Sequence, residues 1–173
     1  MFIIKAKILG ITKPPVWRKF RCADDATFGD LNDYLTYGFG WDGFHLHEFR
    51  SSLKGRDAVR IGRADDDDFW QGPPEDENEV QIQHVFSRFK KFYWIYDFGD
   101  NWEVELTCTG VSDEPCEGIH YDGSKGKAPP EDCGGIYAYE RIKYLFREDP
   151  EGEEAEEMRE WLGLDEGENW DPN

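Results

Sequence analysis

The chain has 173 residues, a length typical of one domain with one hydrophobic core. Its 38 Asp and Glu residues outnumber its 20 Lys and Arg residues, so the formal net charge at pH 7 is −18. Because cations that neutralise phosphates supply most nucleic-acid affinity, this charge argues against a general nucleic-acid-binding protein. The 7 Trp, 8 Tyr and 12 Phe residues provide enough large apolar side chains for a folded core.

The negative charge is concentrated in two segments. Residues 62–79 are rich in Gly, Pro and acidic residues and are predicted to be an acidic loop within a single domain of residues 1–147. Residues 148–173 are predicted to be an acidic C-terminal helix and tail that pack on the domain through Met158, Trp161 and Leu162. Most runs of like charge are simply solvated. The alternative, that these segments mimic nucleic acid and occupy the binding site of a basic partner, stays open.

Sequence features also bear on the cellular compartment. The four cysteines form no C-x-x-C pair, the N-terminus lacks the basic and apolar regions of a signal peptide, and no apolar run approaches a membrane span. We therefore expect a soluble cytoplasmic protein with no membrane partner.

Hydrophobic periodicity predicts the elements in chain order. Strands are expected at 2–8 and 16–22, followed by a helix that begins with a capping box at Thr27 and Asp30. A further strand is expected at 44–49, and a hairpin at 92–97 and 102–109 with its first arm buried on both faces. Residues 112–133 are predicted to be a long loop, and helices follow at 136–146 and 155–162.

These elements predict an α+β fold in a single domain. The expected sheet is mixed or antiparallel, has about five or six strands and is packed by two or three helices. A hairpin followed by a helix is also the beginning of a β-grasp-like arrangement, which we expect at the N-terminal end.

Two histidines are candidate metal ligands. His45 and His47 are two residues apart on the expected strand, so both should lie on one face, opposite Glu48. A third ligand would come from the carboxylates, namely Asp97, Asp100, Glu131 or Asp132, and such a mixed set suits zinc, manganese or iron. Cys116 and Cys133 are weaker zinc candidates because their spacing is not that of a zinc motif. The alternative is that one or both histidines pack beside aromatic residues.

The residues Phe98-Gly99-Asp100-Asn101 are predicted to form the turn of the hairpin, directly after Asp97 at the end of its first arm. Gly99 is expected to supply a positive φ, and Asp97 or Asp100 to cap turn amides. A kinase role for this Asp-Phe-Gly is excluded because the chain lacks the other kinase motifs. In the later sequence Pro-Pro-Glu-Asp-Cys-Gly-Gly, Asp132 is expected to cap the helix that follows, with Gly134 and Gly135 opening its amides towards an anion as the alternative.

Several of these motifs together resemble a known family. They are Pro15-Val16-Trp17-Arg18, residues 27–31, Trp41 with residues 45–49, residues 96–102 and residues 129–135. In this order they resemble the plasmid pRiA4b ORF-3-like family, first named for a root-inducing plasmid. The resemblance implies an α+β domain of microbial and plasmid origin with no established activity. This sequence departs from the family pattern at Ala128, where a cysteine is usual, and in a lengthened segment from Ile119 to Ser124.

Three functions remain open at this point. The first is a binding or regulatory module, not an enzyme, whose aromatic and carboxylate-lined cleft takes a peptide, a protein or a small ligand. The second is a metal-dependent hydrolase or nuclease that uses zinc or manganese, and the third is the acidic nucleic-acid mimic. Nucleic acid itself is disfavoured as a partner without being ruled out, since residues 1–62 are slightly basic. The candidate cleft residues are Trp41, His45, His47, Tyr96, Asp97, Asp100, Trp102, Glu131 and Asp132.

Overall fold

The computed structural model describes residues 1–63 and 74–173. The elements in these residues are β1 (Phe2–Ile8), β2 (Trp17–Cys22), α1 (Phe28–Phe39), β3 (His47–Arg50), β4 (Arg60–Gly62), β5 (Glu75–Asp76), α2 (Ile82–Phe86), β6 (Lys91–Tyr96), β7 (Trp102–Val111), β8 (Ile119–Lys125), α3 (Gly135–Glu148) and α4 (Glu153–Leu162). The predicted acidic loop at 62–79 falls largely outside the described residues, and its described end contributes β5.

The strands form one sheet in the order β5-β4-β3-β6-β7-β1-β2-β8. All neighbours are antiparallel except β4 and β5, so the sheet is mixed. The α+β class is confirmed, but the expected five or six strands and two or three helices were too few, since the described residues form eight strands and four helices. β5 has only two residues, which is too short to show a period-two pattern.

Strand β8 lies inside the segment that was predicted to be a loop. It pairs with β2 at the edge of the sheet, and Arg21 on β2 forms an ion pair with Asp122 on β8 at 2.8 Å. Most of its side chains are exposed, so the sequence has no alternation of apolar and polar residues there. The lengthened segment from Ile119 to Ser124 therefore forms an edge strand.

The N-terminal end has only part of the β-grasp order. β1 and β2 form a hairpin and α1 follows, as expected. On its other side, however, β1 pairs with β7 in the antiparallel direction, whereas the corresponding central pair of a β-grasp fold is parallel.

The ends of α1 agree with the sequence signals. The Thr27 hydroxyl accepts a hydrogen bond from the Asp30 N–H at 3.1 Å, and Asp30 accepts one from the Thr27 N–H at 2.9 Å. The helix ends at Gly40, which has a φ of 76°. Its buried side chains place Phe28 edge-on against Phe49 of the sheet, with ring centroids 4.9 Å apart.

The hairpin of β6 and β7 carries the centre of the aromatic core. Phe92, Trp94 and Tyr96 are buried, while Tyr93 and Ile95 are only partly buried. The first arm is therefore fully buried on one face, not on both as expected. Because β3 and β7 flank β6, the end of this hairpin lies beside the segment that precedes β3.

The acidic C-terminal residues are attached to the domain. Trp170 is 4% exposed, and its ring meets the Tyr139 ring edge-on at 5.5 Å. Nearby, the Lys127 N–H donates to the Pro172 carbonyl at 2.9 Å. The tail is thus held by aromatic burial and a backbone hydrogen bond.

A buried arginine also holds α4. Arg159 is 4% exposed and donates to the carbonyls of Pro150 and Glu168. Met158 and Leu162 pack against the core as partly buried side chains. Trp161, in contrast, is 50% exposed, so it contributes less to this packing than the sequence predicted.

Candidate functional site

His45 lies at the centre of a group of carboxylates. Its Nε2 is 3.2 Å from Asp132 Oδ1 and 3.6 Å from Glu131 Oε1, and its Nδ1 is 3.6 Å from Asp97 Oδ1. His45 precedes β3 and is 29% exposed. We refer to His45, Asp97, Glu131 and Asp132 as the carboxylate site.

Asp97 is positioned by the turn between β6 and β7. Its N–H donates to the Leu46 carbonyl at 2.9 Å, and its Oδ1 accepts from the Gly99 N–H at 2.9 Å. The positive φ values in this turn belong to Asp97 (53°) and Asn101 (55°), not to Gly99 as expected. Asp97 therefore caps a turn amide and still faces His45.

Asp132 reaches the site because it does not cap α3. The N-cap residue of α3 is Gly134, and no side chain caps the first turn of this helix. Asp132 was expected to do so. Asp132 instead has a φ of 53° and is 69% exposed beside His45. The Gly134 N–H donates to Asp100 Oδ2 at 3.0 Å, so the anion at these glycines is the carboxylate of Asp100.

Glu131 is the most strongly hydrogen-bonded carboxylate of the site. It accepts from the Asp42 N–H at 2.8 Å and from the Tyr96 hydroxyl at 3.1 Å. Its pKa is raised because burial disfavours the charged form, although these hydrogen bonds act in the opposite direction. Burial and the charge of Glu131 also raise the pKa of Tyr96, whose hydroxyl accepts a hydrogen bond from the Gly43 N–H at 3.2 Å.

The large aromatic rings lie beneath the site and do not line an open groove. Trp41, Trp94, Tyr96 and Trp102 are all buried, and the rings of Trp41 and Tyr96 are stacked at 4.9 Å. Trp41 Nε1 donates to the Pro129 carbonyl at 2.9 Å, which ties the Pro-Pro-Glu-Asp segment to this stack. The aromatic cluster is therefore a rigid support, from which only the Tyr96 hydroxyl reaches the carboxylate site.

His47 is separate from the carboxylate site. The expected strand at 44–49 begins only at His47, so the period-two geometry does not extend back to His45. His47 is 4% exposed, and its Nε2 is 2.6 Å from Glu77 Oε2. Its ring also lies edge-on to Phe49 at 6.0 Å. His47 therefore packs beside an aromatic ring, which was the alternative to the two-histidine metal pair.

Two sets of side chains in the described parts of the chain could share one metal ion, and both contain His45. One is His45, Asp97 and Asp132, and the other is Asp42, His45 and Glu131, with ligand atoms within 4.8 Å of one another in each set. His47, Asp100, Cys116 and Cys133 belong to neither set. Cys133 lies before α3, where burial raises the pKa of its thiol to about 12, while Cys116 lies before β8.

Sequence reasoning missed two residues. The backbone N–H of Asp42 donates to Glu131, and Asp42 Oδ1 accepts a hydrogen bond from the Phe44 N–H at 2.9 Å. The Asp-Gly pair at 42–43 was a sequence signal for this turn. Glu77, the partner of His47, lay in a segment whose composition indicates only a loop. No sequence signal pairs it with a residue thirty positions earlier.

Comparison with known proteins assigns this chain to a family. A sequence model described as "Plasmid pRiA4b ORF-3-like protein" matches residues 1–173. The chain belongs to the plasmid pRiA4b ORF-3-like family. This match over the whole ORF-3-like chain confirms the resemblance seen in the sequence motifs.

Two relatives extend the comparison of this ORF-3-like chain. It is 31% identical over 168 residues to the uncharacterized protein y4hQ of Sinorhizobium fredii, covering 93% of this chain and 81% of the relative. It is also similar to the crystal structure of the protein of unknown function MM3350 from Methanosarcina mazei Go1. The TM-score is 0.81 at 31% identity, over 99% of this chain and 91% of the other. Across residues 1–63 and 74–173, none of the helices has the length and apolar character needed to cross a membrane.

Proposed function

We propose that the chain is a binding module, not an enzyme, whose carboxylate site holds a divalent cation. The observation that carries this proposal is the set His45, Asp97 and Asp132, whose ligand atoms lie within 4.8 Å of one another. One imidazole with two carboxylates suits zinc or manganese, because both accept mixed nitrogen and oxygen ligands.

The surroundings of these three residues support a built site. Asp97 is 10% exposed and fixed by its turn, while His45 and Asp132 are 29% and 69% exposed. A cation held here would be anchored from the protein side and open towards solvent. The open side leaves coordination positions for water or for a ligand of a partner.

The hydrogen bonds behind the site act as its supporting shell. The Tyr96 hydroxyl and the Asp42 amide hold Glu131 next to His45, and the buried stack of Trp41 holds Tyr96. Partners of this kind fix the orientation of ligands and so reduce the entropy lost on cation binding. The aromatic residues that the sequence assigned to the cleft therefore support the carboxylates from beneath.

A metal-dependent hydrolase is the second candidate, and the position of Glu131 favours it. The pKa of this carboxyl is raised by burial, and its Oε1 lies 3.6 Å from His45 Nε2. A carboxylate with a raised pKa beside a metal-bound water is suited to accept a proton from that water.

Cation binding can be tested by titrating the full chain with Zn²⁺ and Mn²⁺ in a calorimeter. We expect one site per chain, and we expect His45→Gln and Asp132→Asn each to weaken binding by roughly tenfold or more. Glu157→Gln is the matched control, since Glu157 is an exposed acid of the C-terminal segment. Unchanged binding in both site variants, or an equal loss in the control, would show that the cation binds the acidic surface generally.

A further inference from the structure

We propose that the surface around the carboxylate site docks a protein segment in which apolar and basic side chains alternate. The surface combines the carboxylates with three exposed apolar side chains, Phe44, Leu46 and Phe98, which we call the apolar rim. This inference goes beyond the cation site, because it concerns a protein partner and adds the residues of the apolar rim to the carboxylates.

The side chains of the apolar rim are largely open to solvent. Phe44 is 88% exposed, Phe98 53% and Leu46 48%. Among the phenylalanines of residues 1–63 and 74–173, Phe44 and Phe98 are exposed and the others are buried or partly buried. Phe44 and Leu46 flank His45 in the sequence, and Phe98 follows Asp97. The hydrogen bond from the Asp97 N–H to the Leu46 carbonyl brings these two backbone segments side by side at the carboxylate site. Exposed apolar side chains next to polar groups are typical of a protein interaction site.

Hydrogen-bonded turns hold the rim in place. The Phe44 N–H donates to Asp42 Oδ1 at 2.9 Å, which fixes the turn that presents Phe44. The Asp97 N–H donates to the Leu46 carbonyl, so the backbones on either side of the site are joined. A partner would meet side chains on an ordered backbone, and less entropy would be lost on binding.

The charge of the site selects the partner. Asp42, Asp97, Glu131 and Asp132 surround His45, and across 1–63 and 74–173 no Lys or Arg forms an ion pair with any of them. A bound divalent cation would offset two of these four negative charges, so the surface stays anionic in either state. Basic side chains of a partner are therefore attracted to the centre while its apolar side chains contact the rim.

The same charge disfavours two other occupants. A second copy of this chain would bring two anionic sites together, with a formal charge of −18 on each molecule. An anionic lipid surface would be repelled by the carboxylates next to the rim. Both occupants remain as outcomes of the experiment.

The probe is a fluorescein-labelled peptide of six Leu-Arg repeats, and its binding to the full chain is measured by fluorescence anisotropy. Peptides of six Ser-Arg and six Leu-Glu repeats separate the basic from the apolar contribution. We expect the double variant Phe44→Ser, Phe98→Ser to bind the Leu-Arg peptide about tenfold more weakly than the natural chain. The control is Tyr37→Ser, Tyr137→Ser, which removes two aromatic residues that are 75% and 90% exposed. This control should bind within about twofold of the natural chain.

Several results would overturn the docking proposal. These are equal affinity of the rim variant and the natural chain, binding of the Leu-Glu peptide as tight as that of Leu-Arg, a dimer that the rim variant abolishes, and rim-dependent binding to phosphatidylserine vesicles. Zn²⁺ titration of the same variants separates the two proposals, since the rim variant should keep its cation affinity. If His45→Gln still bound the peptide, and neither the natural chain nor any variant bound Zn²⁺, the cation-site proposal would be contradicted and the docking proposal would stand.

Discussion

Asp100 Oδ2 accepts a hydrogen bond from the Gly134 N–H at 3.0 Å, and this bond joins the turn between β6 and β7 to the start of α3. The two segments are 34 residues apart in the chain. One contributes Asp97 to the carboxylate site and the other contributes Glu131 and Asp132. The relative position of these three carboxylates therefore depends on how closely the two backbones approach.

Gly135 makes this approach feasible. Its φ is 76°, and a Cβ added there would lie 2.8 Å from the Asp100 carbonyl oxygen. We expect Gly135→Ala to lower the free energy of unfolding by about 2 to 4 kcal/mol, since it combines backbone strain with a steric clash. Gly163→Ala is the control, because Gly163 also has a positive φ but has no atom within 4 Å of an added Cβ. Urea denaturation should give a loss of only about 1 kcal/mol for the control. Equal losses would show that the contact with Asp100 is unimportant.

Glu131 should impose a pH dependence on stability. Because the pKa of Glu131 is raised in the folded chain, its contribution to stability is fully present below the unfolded value of roughly 4.3 and is lost as the pH rises through the folded value. Glu131→Gln removes this titration. The stability of the variant relative to the natural chain should therefore increase as the pH rises above the unfolded value of roughly 4.3, as measured by urea denaturation at several pH values. Parallel pH profiles for the two proteins would contradict the raised pKa.

The contact between His47 and Glu77 should stabilise the fold and leave cation binding unaffected. Both side chains are buried, and Glu77→Ala would leave His47 Nε2 without its partner. We expect a loss of about 2 to 4 kcal/mol in the free energy of unfolding. Glu79→Ala, an exposed acid two residues away, should change stability by less than about 0.5 kcal/mol. If Glu77→Ala stayed folded and lost Zn²⁺ affinity, His47 would have to be included in the cation site.

The two tryptophans of the C-terminal segment should differ in their contribution to stability. Trp170 is 4% exposed and Trp161 is 50% exposed. We expect Trp170→Ala to cost about 3 to 5 kcal/mol, as for other buried aromatic residues, and Trp161→Ala to cost less than half of that. Thermal unfolding followed by circular dichroism measures both. Similar shifts of Tm for the two variants would show that the tail is not anchored through Trp170.

Local patterns in the sequence predicted much of the fold. The capping box at Thr27, the ends of the hairpin arms and the stop of α3 before Pro150 each depend on residues close together in the chain. β8 was missed because an exposed edge strand has no alternation of apolar residues. β5 was missed because it has two residues and exists through its pairing with β4.

The candidate site was predictable in composition but not in arrangement. The sequence singled out His45, Asp97, Glu131 and Asp132, since His and acidic residues in turns are natural ligands. It grouped His47 with them because a period of two assumes a continuous strand, and that strand begins only at His47. The role of Asp42 depends on a hydrogen bond across 89 residues, which no local pattern indicates.

Because the C-terminal segment is anchored, its negative charges give the molecule a permanent dipole moment. Trp170 packs against Tyr139 of α3, and Arg159 ties Pro150 and Glu168 together within the segment, so the acidic residues of 148–173 keep fixed positions, whereas a freely moving tail would average their field over many orientations. A charged partner that approaches such a molecule is turned by its dipole before any contact forms. Association with a basic partner should therefore be fast at low ionic strength and should slow as salt shortens the range of that field.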